Sequence, residues 1–297
     1  METPSAVRAS AAGLPSSTAP PPYAAAVEIV DHRLVGALHV GLVDRAHAAD
    51  GLAAGEEAVG DAFQTSTIEA LLDGAYEGDL TVGELLAHGD LGIGTVDHLD
   101  GELVVLDGEA WAVASSGEVR AVPPDEGTPF AVVCRFTPGA AVAMGPCADL
   151  EAVGAAVEAA APPDAAVLAV RIDGVVARAR VRSVTRQEPP YPPLTEVVTH
   201  QREWELTDVV GTVVGFRFPD RTDGLEVPGW HLHLLSEDRT LGGHVMELAL
   251  AEGTLRVEAT DALHVELPDR VDAALHAHAH GRDRAAEIAA VEGRPHP

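Results

Sequence analysis

Apolar residues recur along this chain with two spacings, one of period two and one close to a helical turn, and these divide it into strands and helices. Short runs rich in Val, Leu and Ala, each bounded by turn residues, predict strands at Thr95–Leu99, Glu102–Leu106, Ala110–Ala114 and Ala131–Phe136. Ala166–Ile172 and Val175–Val184 predict two more, joined by a turn at Asp173-Gly174. Later strands are expected at Glu203–Leu206, Val209–Arg217, Trp230–Leu235, Gly243–Ala251, Thr254–Ala259 and Ala262–Leu267. Helices are fewer. Ser66-Thr67-Ile68-Glu69 has the spacing of a capping box, with Ser66 three residues before Glu69, so a helix through Ala70, Leu71 and Leu72 should follow. Thr81 precedes a second helix, Gly83–Ala87, that stops at Gly89, and Gly89–Gly94 reads as a glycine-punctuated turn. Leu150–Ala160 and roughly Ala274–Val291 complete the helices.

The crossing Glu188-Pro189-Pro190-Tyr191-Pro192-Pro193 is a natural boundary or rigid connector. It separates an N-terminal α/β domain, residues 63–186, from a β-rich C-terminal domain, residues 187–297, that ends in a helical segment. Residues 1–62 form an extension that is at least partly disordered. Pro15, Pro20, Pro21 and Pro22 with Ser and Ala cannot build a core, although Val27–Val43 is apolar enough to order.

Composition narrows the partners. The 47 acidic residues outnumber 19 basic ones, all arginine, and give a formal charge of -28. Nucleic acid and anionic membranes are disfavoured as partners, since both are negatively charged. An anionic substrate would need a local device to overcome the same field. No run of 18 apolar residues is present, and the N-terminus lacks a basic start followed by an apolar stretch, so a soluble, cytoplasmic protein is expected. Cys134 and Cys147, thirteen positions apart, lie in no metal-type spacing and are expected as reduced thiols.

The chemistry concentrates near Trp230-His231-Leu232-His233-Leu234-Leu235. In a strand His231 and His233 project from one face while Leu232 and Leu234 face the other way. A turn through Ser236-Glu237-Asp238-Arg239 ends at Gly242-Gly243, and a hairpin of that length can return His244 beside the first two imidazoles. Three neutral imidazoles on rigid strands make an open metal site suited to zinc, with iron, manganese, nickel and cobalt also compatible. The chain has 14 histidines, so ordinary histidines falling close together by chance is the competing interpretation. Glu237 gives the segment the look of a cupin metal motif, though a solvated turn carboxylate is the simpler role. His276, His278 and His280 alternate with Ala where a helix is expected, and residues two apart do not share a helical face. Arg178, Arg180 and Arg182 alternate on another strand, and a guanidinium near a metal would hold a carboxylate bidentately. Glu102 and Glu292 are unremarkable from spacing alone.

Beyond these residues the chain resembles the α-acetolactate decarboxylase family. The resemblance is carried by separated blocks in one order. They include Ser66-Thr67-Ile68-Glu69-Ala70-Leu71-Leu72-Asp73-Gly74, His88-Gly89-Asp90-Leu91-Gly92-Ile93-Gly94-Thr95, Leu99-Asp100-Gly101-Glu102, Tyr191-Pro192-Pro193-Leu194-Thr195-Glu196-Val197, Val227-Pro228-Gly229-Trp230-His231-Leu232-His233 and Gly242-Gly243-His244-Val245. They run from about Phe63 to Glu292. The resemblance implies zinc on His231, His233 and His244, an essential arginine at Arg182, active-site glutamates at Glu102 and Glu292, and a pocket threonine at Thr95. It also implies an α/β fold of the α+β type, sheet-rich and two-domain, with mixed and antiparallel sheets, and a homodimer.

The implied reaction is decarboxylation of (S)-2-acetolactate to (R)-acetoin and CO2, with the metal as Lewis acid for an enolate. Two other functions compete with it. A cupin-like oxygenase or isomerase would use Glu237 as a fourth ligand, and a non-catalytic module would bind metal or carboxylate without turnover.

Overall fold

The computed structural model describes residues 26–31, residues 61–267 apart from 164, 166, 223 and 261, and residues 283–292. Fifteen strands and five α-helices are present among them. The strands are β1 (Ala26–Asp31), β2 (Ala62–Thr65), β3 (Leu80–Thr81), β4 (Leu91–Thr95), β5 (Glu102–Leu106), β6 (Glu109–Val113), β7 (Val119–Ala121), β8 (Gly127–Thr128), β9 (Phe130–Cys134) and β10 (Val142–Met144). The later and longer ones are β11 (Val167–Ser183), β12 (Arg202–Phe218), β13 (Gly229–Ser236), β14 (Gly242–Thr260) and β15 (Ala262–Leu267). The helices are α1 (Ile68–Leu72), α2 (Val82–His88), α3 (Leu150–Ala160), α4 (Leu194–Val197) and α5 (Arg284–Val291).

Two sheets make the body of this α+β fold. The first is mixed, in the order β1-β15-β2-β9-β4-β5-β6-β7, with β1, β15 and β2 parallel. The second is antiparallel, in the order β10-β14-β11-β12-β13, and β13 pairs again with the start of β14, so the sheet closes on itself at that end. The proline crossing joins β11 to β12, which are neighbours in this one sheet, and β15 returns from the far end of the chain to the first sheet. The division at residue 187 therefore does not coincide with a division between sheets.

Strand periodicity explains how the two sheets stack. On β11, Leu168, Val170 and Ile172 join Val153 and Val157 of α3 in one core, while Val167 and Ala169 point the other way. That second set meets Leu91, Ile93, Val104 and Val132 of the first sheet. Leu232 and Leu234 of β13 lie in the α3 core, so the alternate residues His231 and His233 face the first sheet. A third cluster, Ile68, Leu71, Leu99, Phe130, Val184, Leu194, Ile288 and Val291, draws α1, α4 and α5 over one end of that interface.

Several local expectations need correction. Asp173-Gly174 is not a turn; both residues lie inside β11, paired with β12 and β14. A Cβ on Gly174 would lie 2.3 Å from the Glu252 carbonyl oxygen, so the glycine serves a close approach between strands. The two expected pairs of strands at 203–217 and 243–259 are likewise the continuous β12 and β14. The segment Gly89–Gly94 holds β4 instead of a turn, and Gly92 and Gly94 let β9 approach. Asp97–Leu99 is a 3-10 turn in which His98 and Leu99 take positive φ of 64° and 59°, which ends the expected strand at Thr95. Ser66 also has positive φ, and the cap of α1 is the next hydroxyl, Thr67, which accepts from the Ala70 amide. Thr81 and Glu84 form a complete capping box on α2. The last helix is described only as α5, and His276, His278 and His280 lie outside the described residues.

These contacts set an expected outcome for Gly92→Ala. Its Cβ would meet the Val132 carbonyl oxygen at 2.3 Å and Val133 Cγ1 at 2.5 Å. Denaturant unfolding should show a loss of about 1–3 kcal/mol. Gly139→Ala, whose Cβ would have nothing within 4 Å, should stay close to the parent.

Candidate active site

The site forms where β13 and β14 meet the first sheet. His231 and His233 share the face of β13 opposite Leu232 and Leu234, and His244 sits directly across from His233 in the antiparallel register. The connecting turn is held by Ser236, whose amide donates to the Leu241 carbonyl and whose Oγ accepts from the amides of Thr240 and Leu241. Gly243 precedes His244 with φ +136°, where a Cβ would lie 2.9 Å from the Arg182 carbonyl oxygen. That close approach allows β11 to pair Arg182 with His244.

The three imidazoles are 6%, 0% and 2% exposed in chain order. Their ring centroids lie 5.2–5.4 Å apart, and one nitrogen from each falls within 4.8 Å of the others. His233 Nδ1 is 2.8 Å from the carbonyl oxygen of Leu103 on β5. A carbonyl only accepts, so Nδ1 carries the proton and Nε2 keeps its lone pair for a metal. That buried Nε2 makes no hydrogen bond. Burial, then His231 and Arg182, hold the His233 pKa well below 6.5 against the opposing Leu103 contact, so the ring is the neutral form that metal coordination requires. The residues therefore fit a metal ion, and among the described residues this is the one such group of histidine, cysteine or carboxylate side chains.

Arg182 approaches the triad from β11, between two carboxylates. Its Nη1 is 3.3 Å from Glu102 Oε1, and its Nη2 is 3.9 Å from Glu292 Oε1. The remaining oxygens turn to the imidazoles, Glu102 Oε2 at 3.6 Å from His233 Nε2 and Glu292 Oε2 at 3.5 Å from His244 Nε2. Glu102 opens β5, and Glu292 is the C-cap of α5. Burial raises the Glu102 pKa above the ordinary carboxylate value, and Glu292 adds to this, while Arg182 and His231 oppose it. Thr95 ends β4 opposite Glu102 in register, and its hydroxyl donates to the Gly101 carbonyl at 3.0 Å. The pocket walls are apolar, from Ile68, Leu71, Leu99, Phe130, Leu194 and Val291.

All seven residues singled out for the site thus line or adjoin one buried pocket. Other candidates do not join it. Glu237 is exposed on the turn beside a separate cleft that it shares with Asp107 and Arg171. Arg178 and Arg180 are engaged outside the pocket, Arg178 by Glu247 and Arg180 by Glu203 and Glu247. Cys134 is buried and Cys147 half-buried, and both are free thiols. Two contributors were not foreseen. The Leu103 carbonyl is backbone and leaves no mark in the sequence. Glu226, fully buried beside His231, had one faint signal as a lone acid within Leu225-Glu226-Val227-Pro228.

The fold and pocket define a sheet-rich α+β protein whose buried histidine triad could hold a metal ion beside the buried guanidinium of Arg182. Residues 62–276 match the family model described as alpha-acetolactate decarboxylase. The chain belongs to the alpha-acetolactate decarboxylase family. It is 43% identical over 209 residues to the alpha-acetolactate decarboxylase of Methylococcus capsulatus, covering 70% of this chain and 80% of that relative. The Klebsiella aerogenes enzyme of the same name is 37% identical, with 77% of this chain and 88% of the relative covered. Among solved structures, alpha-acetolactate decarboxylase from Bacillus subtilis superposes with a TM-score of 0.73 at 33% identity, covering 78% of this chain and 99% of that one.

The lowered His233 pKa has a measurable consequence. Below pH 6.5 the unfolded chain takes up a proton on this imidazole that the folded, metal-free protein resists. Stability of the metal-free protein should therefore fall as pH drops from 6.5, and His233→Asn should flatten that slope in urea unfolding at a series of pH values.

Proposed function

We propose that the protein decarboxylates (S)-2-acetolactate to (R)-acetoin and CO2, and that zinc is the metal on His231, His233 and His244. The observation that carries this reading is Arg182, a buried guanidinium set between Glu102 and Glu292 against the histidine triad. Among the described residues it is the one arginine lining the pocket, in a protein of formal charge -28. It supplies the local device that an anionic substrate needs.

When bound, the metal supplies Lewis acidity toward the ketone and hydroxyl oxygens of the substrate. Arg182 takes the carboxylate and turns the bond to CO2 perpendicular to the ketone plane. The electron pair left behind then enters the carbonyl π-system as CO2 departs. The apolar walls keep water from the carbon that gains negative charge, so the proton must come from the protein. Glu102 can hold a proton because burial raises its pKa, and it handles the hydroxyl proton. Glu292, at the end of α5, closes the pocket opposite and presents the second carboxyl group. Delivery to one face of the planar carbon gives a single acetoin enantiomer.

A homodimer in the cytoplasm is part of the same proposal, and the homodimer rests on the family resemblance. The cupin-like alternative loses its fourth ligand, since Glu237 is exposed and outside the pocket. Glu237→Ala should leave acetoin formation unchanged.

Acetoin assay and elemental analysis on one preparation test the proposal directly. Absence of product from fully metal-loaded protein would overturn it. Arg182→Ala should lower kcat/KM by roughly 10²–10³-fold while metal content is kept. Arg182→Lys, which keeps the charge but loses the planar fork, should fall between the two. His244→Ala should lose both metal and activity.

A further inference from the structure

Glu226 is 0% exposed, in the short segment that leads into β13. A buried carboxylate is costly unless something compensates it. One oxygen, Oε2, accepts from the neighbouring Val227 amide at 2.5 Å, and the other, Oε1, has no hydrogen-bond partner. No arginine forms an ion pair with it among the described residues. Among the described residues the cation-forming group beside it is His231, whose Nδ1 lies 3.9 Å from Glu226 Oε2.

The backbone here is tied down. The amides of Leu225 and Glu226 both donate to the Thr222 carbonyl, and the Thr222 hydroxyl donates to the Pro219 carbonyl. The Leu225 carbonyl accepts from the Gln64 side chain at 2.7 Å and from the Ile68 amide at 3.0 Å. Glu226 is thus anchored through β2 and the start of α1 and cannot swing into solvent without breaking this set. Its location is built, and its charge is otherwise unexplained.

We propose that Glu226 is a positioning residue for the metal centre, its carboxylate attracting the Nδ1–H edge of His231 across 3.9 Å so that Nε2 faces the metal. This rests on the metal reading of the triad given above. The two inner-strand histidines would then be oriented by different means, His233 by the neutral Leu103 carbonyl and His231 by a full negative charge. A metal at Nε2 draws electron density from the ring and makes the Nδ1 proton a stronger donor. The carboxylate and the metal-bound imidazole therefore stabilise one another, and the buried charge is compensated when the site is loaded. In the metal-free state that compensation is smaller, so the same carboxylate is a net burden.

This coupling separates positioning from a merely structural role. Metal affinity is read by chelator competition with zinc, and thermal unfolding is followed with and without zinc, on the full chain. Glu226→Gln keeps the shape and an acceptor oxygen but removes the charge, and Glu226→Ala removes both. Glu226→Ala should weaken zinc binding by roughly 10- to 100-fold, with Glu226→Gln affected less. The metal-free Tm of Glu226→Gln should be equal to or above that of the parent, so the rise in Tm on adding zinc shrinks. Unchanged zinc affinity in both variants would overturn the proposal. So would a metal-free Tm that falls in Glu226→Gln by as much as the zinc-loaded Tm, since that marks a structural role alone. If the parent chain binds no zinc, the metal reading itself fails and the proposal falls with it.

Discussion

Burying Arg182 is the constraint around which the pocket is organised. A guanidinium taken out of water carries a desolvation cost of several kcal/mol and needs carboxylates with good geometry to offset it. Neither carboxylate lies near it in the chain. Glu102 comes from β5 of the first sheet and Glu292 from the end of α5, so pairing the cation draws the first sheet and the C-terminal helix onto β11. Each carboxylate then has a second oxygen left over, and each turns it to a histidine. The charge cluster and the histidine cluster are therefore one network, and a change in either is felt by the other.

The stacking of the sheets gives this network its dry setting. Period-two alternation sends Leu232 and Leu234 into the α3 core and leaves His231 and His233 at the interface, where the Leu103 carbonyl of the opposite sheet selects the tautomer of His233. Burial lowers the pKa of His233 and raises that of Glu102. One environment thus shifts both groups toward their neutral forms, the imidazole downward and the carboxyl group upward.

Much of the site was legible in the sequence because its parts obey local rules. The His-Leu-His alternation needs only a strand, and the distance from His233 to His244 needs only a hairpin. Glu102 and Glu292 were legible only through resemblance, since nothing local says that a carboxylate at a strand start and another at a helix end will share a guanidinium. Glycine was the main source of error in the fold. At Gly92, Gly94 and Gly174 it permits neighbouring backbone to come close inside a sheet, whereas a turn uses the same residue for its free φ. Only the partner strand distinguishes these uses, and the partner is remote in sequence. The cap of α1 shows the same limit on a smaller scale. Ser66 and Thr67 are adjacent hydroxyls, and the left-handed backbone at Ser66 passes the role to Thr67.

The hairpin that carries the three histidines is compact in the chain, spanning residues 231–244, whereas Arg182 meets partners 80 and 110 positions away. These two separations imply an order of assembly. Short loops close at smaller entropic cost than long ones, so the imidazoles can gather while the ends of the chain are still distant. The helix bearing Glu292, coming last in the sequence, completes the charge network. The histidine cluster can thus form on the nascent chain before the carboxylate partners of Arg182 are both in place.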